Sequence, residues 1–455
     1  MATMTLGPVV GKVTSRTARV LIESDTTAEI TCTAALGGKA KSTSKRKLTA
    51  NRPAVFELTD LSPNTGYTIT FKGVTSPVPC TVKTYATNPT ALNAAVVSCN
   101  YTIRRGDTDL WQSLLDQYVN PGHLDLLIHA GDQVYGDKAF EGSIDILAGK
   151  TKATAAESRQ IGDLYRQLYR WAWRHPATRS VLASVPNLMI WDDHEIRDDW
   201  GNRDDDREPT SASATIGRIA RRVYREYQRQ LWEDETADAD PPVGQLEDHM
   251  HAWGSIGVLF LDQRGGRSFE IDPAYPYLGG AQWERVRTAL APGGLFAKVR
   301  ALVVVTSVPL AYLGDSVSTI GQELVNDLRD HWAYGPHRKE QTELLRALRR
   351  WKQEKDGQRE LLVVGGDVHI GCHTDILHGG TVVFRQLVTS PITNKPPSWL
   401  AFQGLRTLLE SEQTLGDGYA FEHARYMRAR NFGIVLARVP PTGQPKIEGS
   451  LFSAG

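Results

Sequence analysis

Three times in this chain an apolar run of strand length stops and an acid or histidine follows at once. The run LLIHAGD delivers Asp132 just past Gly131, with Tyr135 and Asp137 close behind. LMIWDDHE delivers Asp192, Asp193, His194 and Glu195, and LLVVGGDVH delivers Asp367 and His369. Ligands of α/β folds collect beyond the carboxyl ends of strands, so three ends far apart in sequence can converge in space. Carboxylate oxygens together with imidazole nitrogens suit hard or intermediate cations. Carboxylates that bridge two cations reduce their repulsion, and a metal pair polarises a phosphoryl group and lowers the pKa of a water between them. The chemistry implied is metal-dependent hydrolysis of a phosphate ester without a serine nucleophile.

Each cluster also has a plainer reading. A carboxylate after a strand can simply cap the next helix. Asp192 is a weaker candidate than Asp193, because one of two consecutive acids usually turns away. His194 also fits a hydrogen-bonded structural role, and Glu195 stands between orienting His194 and contacting a loop. His373 and Asp375 are open between support of the site and surface polarity. Arg264 and Arg267 follow the apolar run 256–261, and their planar guanidinium groups match phosphate oxygens. Arg197, Asn202 and Arg203 could approach from the other side or pair with the surrounding acids. The chain has no GxxxxGK[ST] loop, no HExxH and no GxSxG elbow, and its glycine pairs lack the setting of a dinucleotide site.

The elements that must position these residues change character along the chain. Residues 1–86 read as a small all-β sandwich with strands near 18–22, 29–34, 54–58, 66–71 and 80–84, punctuated by Ser, Thr, Asn, Gly and Pro. The basic stretch 41–48 reads as a solvated loop. From residue 87 to 440, compact apolar runs at 94–99, 124–129, 188–191, 256–261, 302–305 and 361–364 suit strands buried on both faces. Amphipathic helices at 158–173 and 337–352 lie between them, which predicts an α/β body. Segments 150–156, 204–209 and 232–240 read as surface excursions, and residues 441–455 as a poorly specified tail.

Composition narrows the classes. Fifty-two basic residues balance fifty-two acidic ones in 455, so no global field draws the chain to nucleic acid or to an anionic membrane. No apolar run reaches the length of a membrane span. The first residues lack the basic and apolar pattern of a signal peptide. Four cysteines, at 32, 80, 99 and 372, form no CxxC pair; Cys32 and Cys80 are open between a disulfide and two buried thiols.

At these clusters the sequence resembles the alkaline phosphatase D family of calcineurin-like metallophosphoesterases. The resemblance rests on Ser98-Cys99, Gly131 to Tyr135, Trp191 to Glu195, Leu261 to Arg264 and Gly366 to His369, with further agreement at Asp330 to Trp332 and Asn431 to Gly433. It implies a four-layer α/β/β/α sandwich preceded by a fibronectin-III or immunoglobulin-like sandwich. It also implies metal ligation by Cys99, Asp132, Tyr135, Asp193, Asp367 and His369, with Asp132 as the bridging carboxylate and His194 assisting the leaving oxygen or positioning phosphate. Arg264 would bind phosphate. Ser98-Cys99-Asn100 stands where relatives carry an Asp-x-His motif, which favours Fe(III) with Ca(II) over Mn(II), Mg(II) or Zn(II). The resemblance points to export, whereas the opening residues leave a cytoplasmic location open.

The expected substrate is a small-molecule, lipid or polymer phosphate ester, monoester or diester. Competing readings are a catalytically silent interaction protein that works through its sandwich, and a metal-dependent hydrolase of non-phosphorus esters. Oligomeric state is open.

Overall fold

A computed structural model describes residues 2–101, 108–235, 241, 245–267, 274–314, 330–355, 357–399, 402–403 and 413–453. Its first part is two four-stranded sheets. One has the order β5 (Ala54–Leu58), β2 (Ala18–Ser24), β1 (Ala2–Val13) and β7 (Val74–Thr75); the other has β4 (Lys39–Leu48), β3 (Ala28–Leu36), β6 (Gly66–Lys72) and β8 (Cys80–Lys83). Alternation drives the second sheet: Ile30, Cys32, Ala34, Tyr67, Ile69 and Val82 point inward while their neighbours face water. The expected basic loop at 41–48 is instead the edge strand β4, paired along β3. An edge strand with one solvated face tolerates lysines, and the Ser and Thr between them favour extended backbone. Cys32 and Cys80 are buried free thiols.

The sheet formed by β5, β2 and β1 is covered on its other face by the α/β body, so β2 is buried along its whole length. Val10 O accepts the Asn187 side-chain amide at 2.9 Å, and Val13 O accepts the Trp253 indole N–H at 3.2 Å. The buried Glu23 carboxylate accepts from Arg170 Nε at 2.6 Å and from the Tyr227 hydroxyl. A β-carbon on Gly11 would lie 2.3 Å from Leu231 O, so only glycine permits this approach of backbones.

The body contains two facing sheets. The smaller has the order β11 (Asn187–Ile190), β10 (Leu126–Ala130), β9 (Ala91–Val97), β20 (Phe432–Arg438) and β21 (Lys446–Phe452); β9, β10 and β11 are parallel. The larger has eight strands, in the order β12 (His249–Trp253), β13 (Ile256–Phe260), β14 (Ala301–Val305), β15 (Glu360–Gly365), β17 (Thr381–Val388), β16 (Gly371–His378), β19 (Tyr419–Met427) and β18 (Gln413–Gly416). Successive residues of its central strands serve different layers. Val303, Val305, Leu362 and Val364 share a core with Val96, Ile128 and Ile434 of the smaller sheet. Leu302, Val304, Leu361 and Val363 pack with Trp283 and Val286 of helix Gly280–Leu290, and with Leu344, Leu348 and Trp351 of helix Arg338–Gln353. Helix Leu110–Leu114 covers the smaller sheet, where Trp111 lies 6.3 Å from the His129 ring. The result is an α/β/β/α sandwich preceded by an all-β unit.

Two expectations about loops change. The segment expected as a tail contributes β21, in register with β20; its alternation of Ile447, Gly449 and Leu451 is short and is masked by nearby Pro and Gly. The acidic stretch at 204–209 includes the helix Asp204–Arg207, and Asp206 is buried as the partner of Arg197 at 2.6 Å. Residues 236–240 of the acidic segment lie outside the described residues. Among the described residues no helix is long and apolar enough to cross a membrane.

Candidate metal centre

The carboxyl ends of β9, β10, β11 and β15 meet at one place, and two glycines allow it. A β-carbon on Gly131 would fall 2.8 Å from Asp192 Cβ, and one on Gly366 would fall 2.5 Å from Ala130 O and 2.6 Å from Ser98 Cβ. Only a missing side chain lets the ends of the two sheets close to this distance. Immediately beyond, Cys99, Asp132, Asp367 and His369 all have positive φ, from 54° to 64°. A left-handed backbone is uncommon in residues other than glycine and costs about 1–3 kcal/mol each. The fold carries that strain at four residues in three adjacent turns, after β9, β10 and β15, and there it swings the side chains off the strand direction.

The swing concentrates carboxylates. Ligand atoms of Asp132, Asp192, Asp193 and Asp367 lie within 4.8 Å of one another, as do those of Asp132, Asp193 and His194. Cys99 Sγ is 3.4 Å from Asp132 Oδ2 and 3.0 Å from Ser390 Oγ. The Tyr135 ring lies 4.1 Å from the His194 ring. Its hydroxyl accepts from Asn394 Nδ2 at 2.8 Å, and the same nitrogen is 3.4 Å from His369 Nε2. The sequence reading missed Asn394, which sits in a polar loop with no apolar run to mark it.

Of the two sequence options for Glu195, contact with a loop is the one the structure shows. Its carboxylate accepts the backbone N–H groups of Asp132 (3.2 Å), Gln133 (2.7 Å) and Asp192 (2.7 Å), and the side-chain amide of Gln228 (2.9 Å). One buried carboxyl group thus ties the turn after β10 to the turn after β11. His194 is held instead by Asp137, with Nδ1 3.3 Å from its carboxylate; the exposed Asp198 stands 3.6 Å from Nε2.

Arg264 is wholly buried. Its Nε donates to Asp192 and its Nη1 to Asp330 at 2.5 Å, and Nη2 stands 3.4 Å from Asp193. The sequence reading expected a guanidinium open to phosphate; the structure commits two of its nitrogens to carboxylates and leaves only Nη2 without a hydrogen-bond partner. Arg267 is tied to Asp330, Asn202 and Gln263 O. Asp375 pairs with Arg385 at 2.9 Å on β16.

Electrostatics follows from burial. Desolvation and mutual repulsion raise Asp132 and Asp367 well above the usual carboxylate range. Burial, assisted by the neighbouring Asp132 and Asp367, pushes the Cys99 thiol up, and burial does the same to the Tyr135 phenol. His369 is pushed down to about 4 by burial and by nearby His194, so its ring is neutral and has a lone pair to offer. Burial would also discharge His194, but Asp193, Asp132 and Asp137 outweigh it and raise that imidazole well above its ordinary value. Asp132 Oδ1, Asp192 Oδ2 and Asp193 Oδ1 are buried without a hydrogen-bond partner. Orphaned carboxylate oxygens of this kind are costly, and Arg264 supplies only one positive charge among them. The donor set fits a cation.

A family model described as PhoD-like phosphatase matches residues 94–442. The chain belongs to that family. A solved structure of PhoD superposes with a TM-score of 0.69 at 15% identity, over 99% of this chain and 90% of that one; at this identity the likeness establishes the fold. The uncharacterized protein YGR266W of Saccharomyces cerevisiae is 25% identical over 360 residues, 61% of this chain and 50% of that protein. The chain therefore spans half the length of the curated relative it matches.

Proposed function

We propose that this PhoD-like chain hydrolyses phosphate esters with a metal centre held by Cys99, Asp132, Tyr135, Asp193, Asp367 and His369. The observation that carries the reading is the set of buried, unpartnered carboxylate oxygens on Asp132, Asp192 and Asp193. When bound, the metal supplies Lewis acidity toward the phosphoryl group and an acidified water. Asp132, like Asp193, belongs to both groups of converging ligand atoms and would be shared by them if two cations bind. Cys99 and Tyr135 add a soft sulfur and a phenol to an otherwise hard set, which favours iron, with calcium on the oxygen-rich side. Both groups must lose a proton to ligate, so occupancy rises with pH.

The remaining residues bind, orient and move a proton. Arg264 fixes Asp192 and offers Nη2 beside Asp193. Glu195 holds the two ligand turns in register. His194, whose ring Asp137 fixes through Nδ1, delivers a proton to the departing oxygen. Elemental analysis of the native protein is to be paired with turnover of an aryl phosphate, a bis-aryl phosphate and an aryl acetate before and after chelation. Iron with calcium, and phosphate-ester turnover that chelation removes and metal restores, is the expected result. A colourless, iron-free, fully active preparation removes the iron assignment alone. Acetate turnover without phosphate turnover removes the ester assignment, and absence of all turnover removes the enzyme.

A further inference from the structure

Outward from the carboxylates the aromatic rings form a line. His194 lies against Tyr135, and Tyr101 meets Tyr135 edge-on with centroids 4.9 Å apart. Tyr101 and Asn100 then line a cavity of about 390 Å³ together with Trp171, Arg174 and His175. A second cavity, of about 500 Å³, shares Trp171 and Arg174 and adds Lys138 and Leu168. Volumes of this order suit a small organic ligand.

Trp171 is 55% exposed. An indole so exposed near the end of helix Ala155–Trp173 contributes little to a core, and it lines both cavities. The charges around it are uneven. Arg170 is paired with Glu23 and His175 with Asp109, whereas Arg174 and Lys138 have no ion pair among the described residues. The groove therefore offers flat π surfaces next to uncommitted positive charge.

Resting on the hydrolase reading above, we infer that this groove receives the departing group of the ester and that the group is a nucleoside. The departing oxygen is assigned to His194, so that group lies on the His194 side of the centre, from which the ring contacts of Tyr135 and Tyr101 lead to the groove. A heterocyclic base stacks on the indole, and Arg174 and Lys138 attract the anionic ester or additional phosphates. An acyl chain makes no use of the two cations, and a polyol has no ring to stack.

The test uses the full metal-loaded chain, AMP against glycerol 3-phosphate, and the methyl diester of each. Trp171→Ala should lower kcat/KM for the nucleoside esters about tenfold and leave the glycerol esters within twofold, while Trp171→Phe restores most of the loss. Equal losses for both substrate types, or none, overturn the inference. Calorimetric titration with AMP separates it from the hydrolase reading. If no ester is turned over, AMP binding that Trp171→Ala weakens still supports the groove and removes the hydrolase; AMP that binds no better than inorganic phosphate removes the groove.

Discussion

The Asp137 carboxylate accepts from two directions at once: His194 Nδ1 lies 3.3 Å from one oxygen, and the Asp198 backbone N–H donates to the other at 2.8 Å. It therefore fixes the ring in orientation as well as in charge. Asp137→Asn should reduce kcat for an alkyl phosphate by about tenfold to a hundredfold, the usual range for general acid catalysis. The loss should be much smaller for p-nitrophenyl phosphate, whose leaving group departs without a proton, and KM should hardly change. Asp198→Asn, at an exposed carboxylate, should be nearly silent with both substrates. Equal losses on both esters would mean that Asp137 acts on something other than His194.

Glu195 joins two ligand turns through three accepted backbone hydrogen bonds and accepts a fourth from Gln228. Bonds to a buried charged group contribute about 1.5–3 kcal/mol each and are not additive. Glu195→Ala should destabilise the fold by about 3–5 kcal/mol in urea unfolding and reduce metal content, because Asp132 and Asp192 lose their common anchor. Glu195→Gln keeps the volume but turns an N–H toward backbone donors, so it should rescue only part of the stability. Full metal content in both variants would contradict the anchoring role.

Cations and carboxylates should trade stability in opposite senses. Without metal, Asp132, Asp192, Asp193 and Asp367 repel one another within 4.8 Å. In chelator at pH 8, Asp132→Asn should raise Tm by a few degrees, by removing repulsion from a site that strains the fold. With metal restored, the wild type should gain stability by mass action and the variant should not. A variant that loses stability in chelator would show that Asp132 is held by favourable partners rather than by repulsive ones.

Acid sensitivity should arise far from the centre. His249 Nε2 donates to Met189 O at 2.9 Å, and its Nδ1 lies 2.8 Å from His251 Nε2. Burial lowers both imidazoles well below 6.5, as does the positive charge of nearby Lys12. The unfolded chain therefore binds more protons than the folded one below about pH 6.5, and the stability contributed by the neutral pair is lost as pH falls through that point. Urea midpoints measured in chelator between pH 8 and 5 should decline toward acid. A His249→Gln/His251→Gln variant should show a shallower decline; parallel declines would place the proton uptake elsewhere.

Strands were legible where burial on both sides leaves a run of Leu, Ile and Val, as at 302–305 and 361–364. The site was legible because polar residues that interrupt such runs stand out, which is how Asp132, Asp193 and Asp367 appear. What escaped was decided by long-range pairing. Whether Glu195 serves His194 or a backbone depends on Gln133 and Gln228, and whether Arg264 is free depends on Asp192 and on Asp330, 72 and 66 residues away. Nothing local to Asn394 distinguishes it from an ordinary loop amide. Edge strands such as β4 and β21 were hidden because half their residues face water and carry no apolar signature.

The seating of β1 on the body has a bearing on how the chain assembles during synthesis. Val13 O waits for the indole of Trp253, 240 residues later, and Val10 O for Asn187, 177 residues later. The first strand emerges from the ribosome long before its partners exist. Domains generally fold as units while synthesis proceeds from the N-terminal end, yet here the covered face of β5, β2 and β1 stays open until more than half the chain has been made. Over that interval an apolar sheet face is exposed to other nascent chains. Chaperone demand during translation, rather than the stability of the finished fold, is where this arrangement exacts its cost.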